Sequence, residues 1–262
     1  MPTQPLGPTG LLAQSMTLPA GSQSMAMGGM GLRAQGMDGR KKAAGLAGQY
    51  LIVGGGGGGV DTGQAGGGGG GGVLAGTAVL PSGAHQIIVG LGGVNDANSP
   101  TNGGNSSLFA LVAFGGGAGG TSTSPDGKDG GSGGGSYSPG SLAGKGVSGQ
   151  GFAGDVGNSG NGGGAGGLPT NDAGIGKLSS ISGTSQAYGG GGRGAGRGSS
   201  AISAYGNGAG SNVSETAQAG VVIWSYASPT QLCTGGTVTS YLNGSTRWWV
   251  HTFTSNGTLV VP

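Results

Sequence analysis

Charge is scarce in this chain. Asp, Glu, Lys and Arg together make up 7% of 262 residues, where an ordinary globular domain carries about 25%. The net charge is +2, so no general field draws the chain to nucleic acid or to an anionic membrane. Aromatic residues are 5% of the chain, too few for a conventional core. Cys233 is the only cysteine, which excludes an intrachain disulfide and a cysteine-based metal cluster. No run approaches the roughly 18 apolar residues of a membrane span. The opening Met1-Pro2-Thr3-Gln4-Pro5 lacks the basic and apolar regions of a signal peptide. These features suggest a chain made in the cytoplasm and delivered as part of an assembly.

Glycine fills the deficit, with 73 residues. It loses more backbone freedom on folding than any other residue, and ordering a residue costs about 1–2 kcal/mol. Such a chain either stays disordered or packs its backbones so closely that hydrogen bonds and dispersion replace side-chain burial. Runs at Gly54–Gly59 and Gly66–Gly72 suit neither a stable helix nor a normal strand. An extended threefold helix of the polyproline type, rising about 3.1 Å per residue, is the alternative. Without side chains, such helices can bond to neighbours in several directions. Collagen is excluded, because the Gly-X-Y period is absent and only 11 prolines are present.

Composition divides the chain into three. Residues 1–48 contain all six methionines, four prolines and a basic cluster. Met is an adaptable interface residue, so this segment reads as an anchoring arm, with Met25, Met27, Met30, Arg33, Met37 and Arg40 as candidate contacts to a partner. Asp38–Gly48 is a candidate short helix with Asp38 as its N-cap. Residues 49–227 are the glycine-rich body. Tyr50–Val53, Ala78–Leu80, Gln86–Val89 and Val221–Trp224 read as strands within it, with a turn at Pro81-Ser82-Gly83, and Leu108–Phe114 is a further apolar run. Residues 228–262 read as a small β unit: strands at Gly236–Tyr241 and Trp248–Thr254 around Asn243-Gly244, then Gly257–Val261. The expected fold is therefore mainly β and irregular, with little α-helix, built around packed polyglycine-II-type helices.

No catalytic or cofactor motif stands out. Gly-x-Gly-x-x-Gly recurs by chance in glycine runs, and no Lys-Ser or Lys-Thr follows one in phosphate-binding spacing. His85 and His251 read as ordinary strand residues, without a nucleophile motif nearby. Asp126, Asp129, Asp155 and Asp172 lie in polar loops, but their spacing fits no calcium loop. Tyr188–Gly198 contains Arg193 and Arg197 in an arginine-glycine tract like those of RNA-binding proteins. Two arginines in a near-neutral chain read instead as helix-edge residues facing solvent. The expectation is a non-enzyme with no metal or cofactor. The non-glycine inserts are the candidate contact loops, with Asn95, Asp96, Asn98, Asn102, Tyr137 and Phe152 as candidate receptor-contact residues. The same inserts would serve equally well as plain connections between glycine helices.

Four pieces in order carry a resemblance. They are Tyr50–Val53 running into Gly54–Gly59, the next glycine block with a hairpin ending at Ile88–Gly93, Gly104–Phe109, and Gly220–Tyr226. In this order they resemble the glycine-rich domains of bacteriophage tail and tail-fibre proteins, over about residues 49–227. Val250–Leu259 is similar to a motif that such proteins place at the entry to the glycine region; here it follows that region. The body is also similar in style to polyglycine tail-tip adhesins. The resemblance implies a virion structural protein of the tail or fibre. Residues 1–48 would dock on other virion proteins, and loops would face a host surface glycan or outer protein. By analogy the assembly would be multi-copy, as a trimer. A head or tail decoration protein without receptor binding is the alternative, and a cellular glycine-rich RNA-binding or wall protein is a second.

Overall fold

A residue without a side chain still has one N–H and one C=O to satisfy, and this fold is organised around that requirement. The computed structural model describes residues 45–60, 63–211 and 215–262. The N–H groups of Gly66–Gly72 leave the chain in directions that repeat every third residue. Gly66, Gly69 and Gly72 donate to Gly120, Gly117 and Phe114; Gly67 and Gly70 donate to Gly160 and Gly163; Gly68 and Gly71 donate to Ala209 and Gly206. Three more segments donate back. Gly54 and Gly57 reach the carbonyls of Gly72 and Gly69, Ser132 and Gly135 those of Gly70 and Gly67, and Gly192 that of Gly68. The donor–acceptor distances lie between 2.8 and 3.0 Å. A period of three with bonds only to neighbours is the polyglycine-II geometry, and the central run is enclosed by other segments on all sides.

Glycine is required here by proximity rather than by turning. A Cβ at Gly67, Gly69, Gly70 or Gly71 would overlap the backbone carbonyl of Gly192, Ser132, Gly189 or Gly54. Any larger residue would push two chains apart and break bonds in several directions at once.

Among the described residues, eleven strands accompany the lattice: β1 (Leu46–Val53), β2 (Val73–Leu80), β3 (Gly83–Ile88), β4 (Ser106–Leu108), β5 (Leu111–Ala113), β6 (Lys177–Ser179), β7 (Gln186–Tyr188), β8 (Val221–Ala227), β9 (Thr237–Asn243), β10 (Thr246–Phe253) and β11 (Gly257–Val261). They form a five-stranded sheet in the order β2-β1-β8-β10-β9, a four-stranded sheet in the order β11-β3-β4-β5, and the β6-β7 pair. All these pairings are antiparallel. Lattice register shows that the strands share one end. β1 runs into Gly54, β2 leaves from Gly72 and β5 runs into Phe114; Gly54 donates to Gly72, and Gly72 donates to Phe114. At that same end Gly220, just before β8, donates to Gly90, just after β3.

The apolar core lies on the two faces of the five-stranded sheet. Ile52, Leu80, Trp224, Tyr226 and Phe253 meet Ile87, Leu108, Leu259 and Val261 of the four-stranded sheet. On the opposite face Leu51, Val53, Val221, Ile223 and Val250 pack with Tyr188, Ile181 and Ala165. β1 and β8 are therefore buried on both sides, which explains why Leu51-Ile52-Val53 and Val221–Trp224 read as unbroken apolar runs.

Two local expectations are corrected, and one apolar run is resolved into strands. Ala78–Leu80 and Gln86–Ile88 lie in strands, with Val89 just past the end of β3, but not in one hairpin: β2 pairs with β1, and β3 pairs with β11 and β4. Pro81-Ser82-Gly83 is a corner between two sheets, with Gly83 at a φ of 129° and Leu80 buried beneath it. Leu108–Phe114 breaks into β4 and β5 around Phe109, whose φ is 54°. The helix expected over 38–48 falls largely outside the described residues, and its last part, Leu46–Gly48, belongs to β1. There, pairing with Ala78–Leu80 outweighs a weak local helix signal.

The C-terminal hairpin forms between β9 and β10, with Asn243 opposite Thr246. Gly244 and Ser245 are its central residues, and Gly244 has a φ of 61°, so glycine takes the first central position of a two-residue turn. β10 also pairs with β8, and β11 pairs with β3. The Asn256 side chain seals the second junction by accepting from the Val89 N–H at 2.8 Å.

His251 is fully buried in β10. Its Nδ1 lies 2.7 Å from the Gly235 carbonyl, and Nε2 lies 3.5 Å from the Tyr226 hydroxyl, which itself accepts from the N–H groups of Leu232 and Cys233. Burial lowers its pKa below the ordinary value of 6.5, and the Gly235 bond only partly opposes this. Cys233 beside it is buried too, and burial pushes its thiol up to about 11.

Two outcomes are expected. Gly69→Ala should destabilise the fold by about 3 kcal/mol or more in chemical denaturation. Gly167→Ala, whose new methyl would meet only the Ile175 side chain at 3.3 Å, should change stability by under about 1 kcal/mol; equal effects would refute the lattice constraint. The folded state holds His251 neutral while the unfolded chain takes up a proton near pH 6.5. Its contribution is therefore complete above that pH and is lost as the pH falls below it. His251→Gln should lose less stability than the wild type between pH 7.5 and 5.5, as read from urea midpoints.

Candidate functional site

The loops gather at the lattice end opposite the two larger sheets. The connections that follow Gly59, Val94, Gly120, Ser136, Asp155 and Arg193 all leave from there, because Gly66, Gly120, Gly135, Gly67 and Gly160 are joined in register. Neighbouring loops bond to each other. The Thr121 and Thr123 hydroxyls donate to the Asn98 carbonyl at 3.3 and 3.2 Å. Tyr137 N–H donates to Pro125 O, and Ser159 N–H to Tyr137 O. Arg197 donates to Asn158 O and pairs with Asp155, each at 3.3 Å. Ser211 N–H donates to Arg193 O, and the Asn95 amide donates to Glu215 O at 2.6 Å, which closes the circuit. Ala65 is buried beneath it, at the start of the central run.

Of the expected contact residues, Asn95, Asp96, Asn98 and Tyr137 meet on this face. Asn95 is half-buried. Its Oδ1 accepts from Gly59 N–H at 3.1 Å, so both ends of its amide hold backbone. Asp96 is exposed and accepts from the Asn98 and Ser99 N–H groups, both at 2.9 Å. These bonds hold its carboxyl below the usual range. Asn102 lies further into the lattice, where its amide joins Ala118 N–H to Asp129 O. Phe152 is exposed on the flank beside Lys145 and Lys177, away from the ring. The anchor candidates Met25, Met27, Met30, Arg33, Met37 and Arg40 lie outside the described residues.

Asn102 and Asn95 show a role that composition does not display. Where a glycine run has no backbone neighbour, a side-chain carbonyl takes its place. Asn105 accepts from Gly115 N–H, Gln150 from Phe114 N–H, and Asn161 from Gly194 N–H. Asp126, Asp129 and Asp172 likewise accept from the N–H groups of Leu142, Lys145 and Ser199. Among the described residues no three His, Cys, Asp or Glu side chains are placed to hold a metal. No helix of the described residues is long and apolar enough to cross a membrane. Isolated Asn and Gln residues flanking glycine runs were the available sequence signal for these capping positions.

The arginine tract is folded into the same edge. Arg193 N–H donates to the Ser200 hydroxyl at 3.0 Å, and its guanidinium reaches Gly198 O at 3.2 Å. Ser200 in turn donates to the Glu215 carboxylate. Beside this network runs an open groove of about 530 Å³, lined by Arg193, Ser200, Ile202, Asn207, Glu215 and Gln218 among others.

Asn161 is fully buried, with its amide 2.8 Å from Gly194 N and 3.1 Å from Asn171 O. Asn161→Leu should cost about 1–3 kcal/mol by orphaning these groups, and should speed hydrogen exchange at Gly194. Unchanged exchange there would remove the capping role.

No curated protein and no solved structure matches the chain. A family model described as glycine-rich domain matches residues 41–237, which contain the whole lattice and the loop ring. The chain belongs to the glycine-rich domain family.

Proposed function

We propose that this chain is a structural protein of a bacteriophage virion, in the tail or tail fibre, that presents its loop ring to the host surface. The observation that carries the reading is the segregation of the fold. The two larger sheets occupy one end, the polar loops occupy the other, and a lattice built mostly of glycine joins them. Binding groups concentrate on loops that a rigid scaffold positions, and here the loops are also bonded to one another. The resemblance of the ordered glycine pieces to phage tail proteins supplies the biological setting. The role is one of support and recognition rather than catalysis, and residues 1–48 are the part that docks on other virion proteins.

Asn98 and Tyr137 supply the side chains best suited to contact. Neither the Asn98 amide nor the Tyr137 hydroxyl bonds to the protein among the described residues, whereas Asn95 and Asn102 are committed to the lattice.

Antibody raised against residues 228–262 should decorate tails or fibres in electron micrographs of the particles that carry this chain. The purified chain should adsorb to the cells those particles infect and delay infection. Labelling confined to heads would favour a decoration protein, and absence from particles would sink the proposal.

A further inference from the structure

We infer that the groove beside the loop ring is a binding site for a neutral oligosaccharide. The inference rests on the host-attachment reading and adds a location and a ligand class to it. The groove lies on the flank of the ring and includes none of the expected receptor-contact residues, although Arg193 of the arginine-glycine tract lines it. Ser199–Ser203, Asn207-Gly208, and Glu215, Thr216 and Gln218 line it together with Arg193. A volume of about 530 Å³ lies within the usual range of ligand sites.

The lining chemistry selects the ligand. Arg193 brings donors only, Glu215 brings acceptors only, and Gln218 brings both. A sugar hydroxyl both donates and accepts, so adjacent hydroxyls can use all three. The two charges cancel. An anionic ligand would face the Glu215 carboxylate, and a cationic one the Arg193 guanidinium, so a neutral ligand is favoured. Ile202 stands on the rim at 93% exposure, which offers an apolar contact to the C–H face of a sugar ring. A peptide would want deeper apolar pockets or a free strand edge, and Ser199–Ser203 and Glu215–Gln218 belong to no strand.

The groove is also held in shape before any ligand arrives. Ser200 accepts from Arg193 N–H and donates to Glu215, so one hydroxyl ties the two charged residues to each other. Arg193 is fixed a second time through Gly198 O. At the other end Ser203 bonds to the Asn207 side chain, and Asn207 O accepts from Gln218 N–H at 2.9 Å. Ordering costs on binding are correspondingly small. The Gln218 side chain makes no bond among the described residues and is free to take a ligand.

The test uses the full chain on a printed array of bacterial surface oligosaccharides, some neutral and some carrying uronic or sialic acids. Retained neutral glycans are then titrated by saturation-transfer NMR. Neutral glycans should be retained, and Gln218→Ala and Glu215→Gln should each weaken binding about ten-fold or more. Matching circular dichroism spectra and unfolding midpoints would show that the variants fold. Retention of acidic glycans alone, no retention at all, or binding unchanged in both variants overturns the inference. Adsorption to host cells separates the two readings. Undiminished adsorption by both variants leaves the attachment reading standing and overturns the groove. Neutral-glycan binding that both variants lose, in a chain that never adsorbs to cells, supports the groove and counts against attachment.

Discussion

The N–H···O=C bond between neighbouring glycine runs of the chain is the interaction on which the rest of this structure depends. One such bond contributes about 0.5–1.5 kcal/mol net, and ordering a residue costs about 1–2 kcal/mol. The two are of the same order, so a lattice of this kind has little margin. Each run needs neighbours on every side, so that carbonyls and amides are all used and backbone atoms gain dispersion contacts. The central run Gly66–Gly72 meets that condition by donating to three segments and accepting from three others. Closeness makes the bonding possible, and closeness is what a Cβ would remove.

A lattice ends, and its ends create the two other features of the molecule. At one end the chains leave as strands, which can bury Trp224, Ile52 and Leu108 between sheets; the side-chain core that the glycine body lacks is concentrated there. At the other end the segments reverse, and along the edges of the lattice, at both ends, backbone groups run out of backbone partners. Asn, Gln, Asp and Ser side chains supply them. Asn95, Asn102, Asn105, Gln150 and Asn161 each substitute an amide oxygen for a missing carbonyl. The polar character of the inserts is therefore partly a structural requirement. Asn98 and Tyr137 on the face and Gln218 in the groove are left over from that duty, and their side chains make no hydrogen bond among the described residues.

This division explains which features were legible in advance. Continuous apolar runs such as Leu51-Ile52-Val53 announce strands buried on both faces, and the Asn-Gly step near 243 announces a hairpin. Pairing partners were less accessible. Pro81-Ser82-Gly83 has the composition of a hairpin turn, yet β2 and β3 enter different sheets. The choice depends on what lies on the free edge of each strand: β1, formed earlier in the chain, is the partner of β2, and β11, formed at its end, is a partner of β3. Which insert residues cap the lattice and which do not was only partly legible for a similar reason. A half-buried Asn that caps a glycine run and an exposed Asn that faces solvent have the same local sequence.

From the sequence alone, the scarcity of charge, cysteine and aromatic bulk leaves two outcomes, a disordered chain or a backbone-packed interior, because little other material is present to fill a core. The same reading identifies threefold glycine helices, since six or seven consecutive glycines have no side chains to support a strand or an α-helix. Tertiary structure alone decides the direction of each run. Glycine carries no pattern that distinguishes its faces or its ends, so register comes from the strands and caps to which the runs are tied. That choice places the larger sheets at one end and the loops at the other. It also brings Arg193, Ser200 and Glu215 together around a groove that no local motif marks.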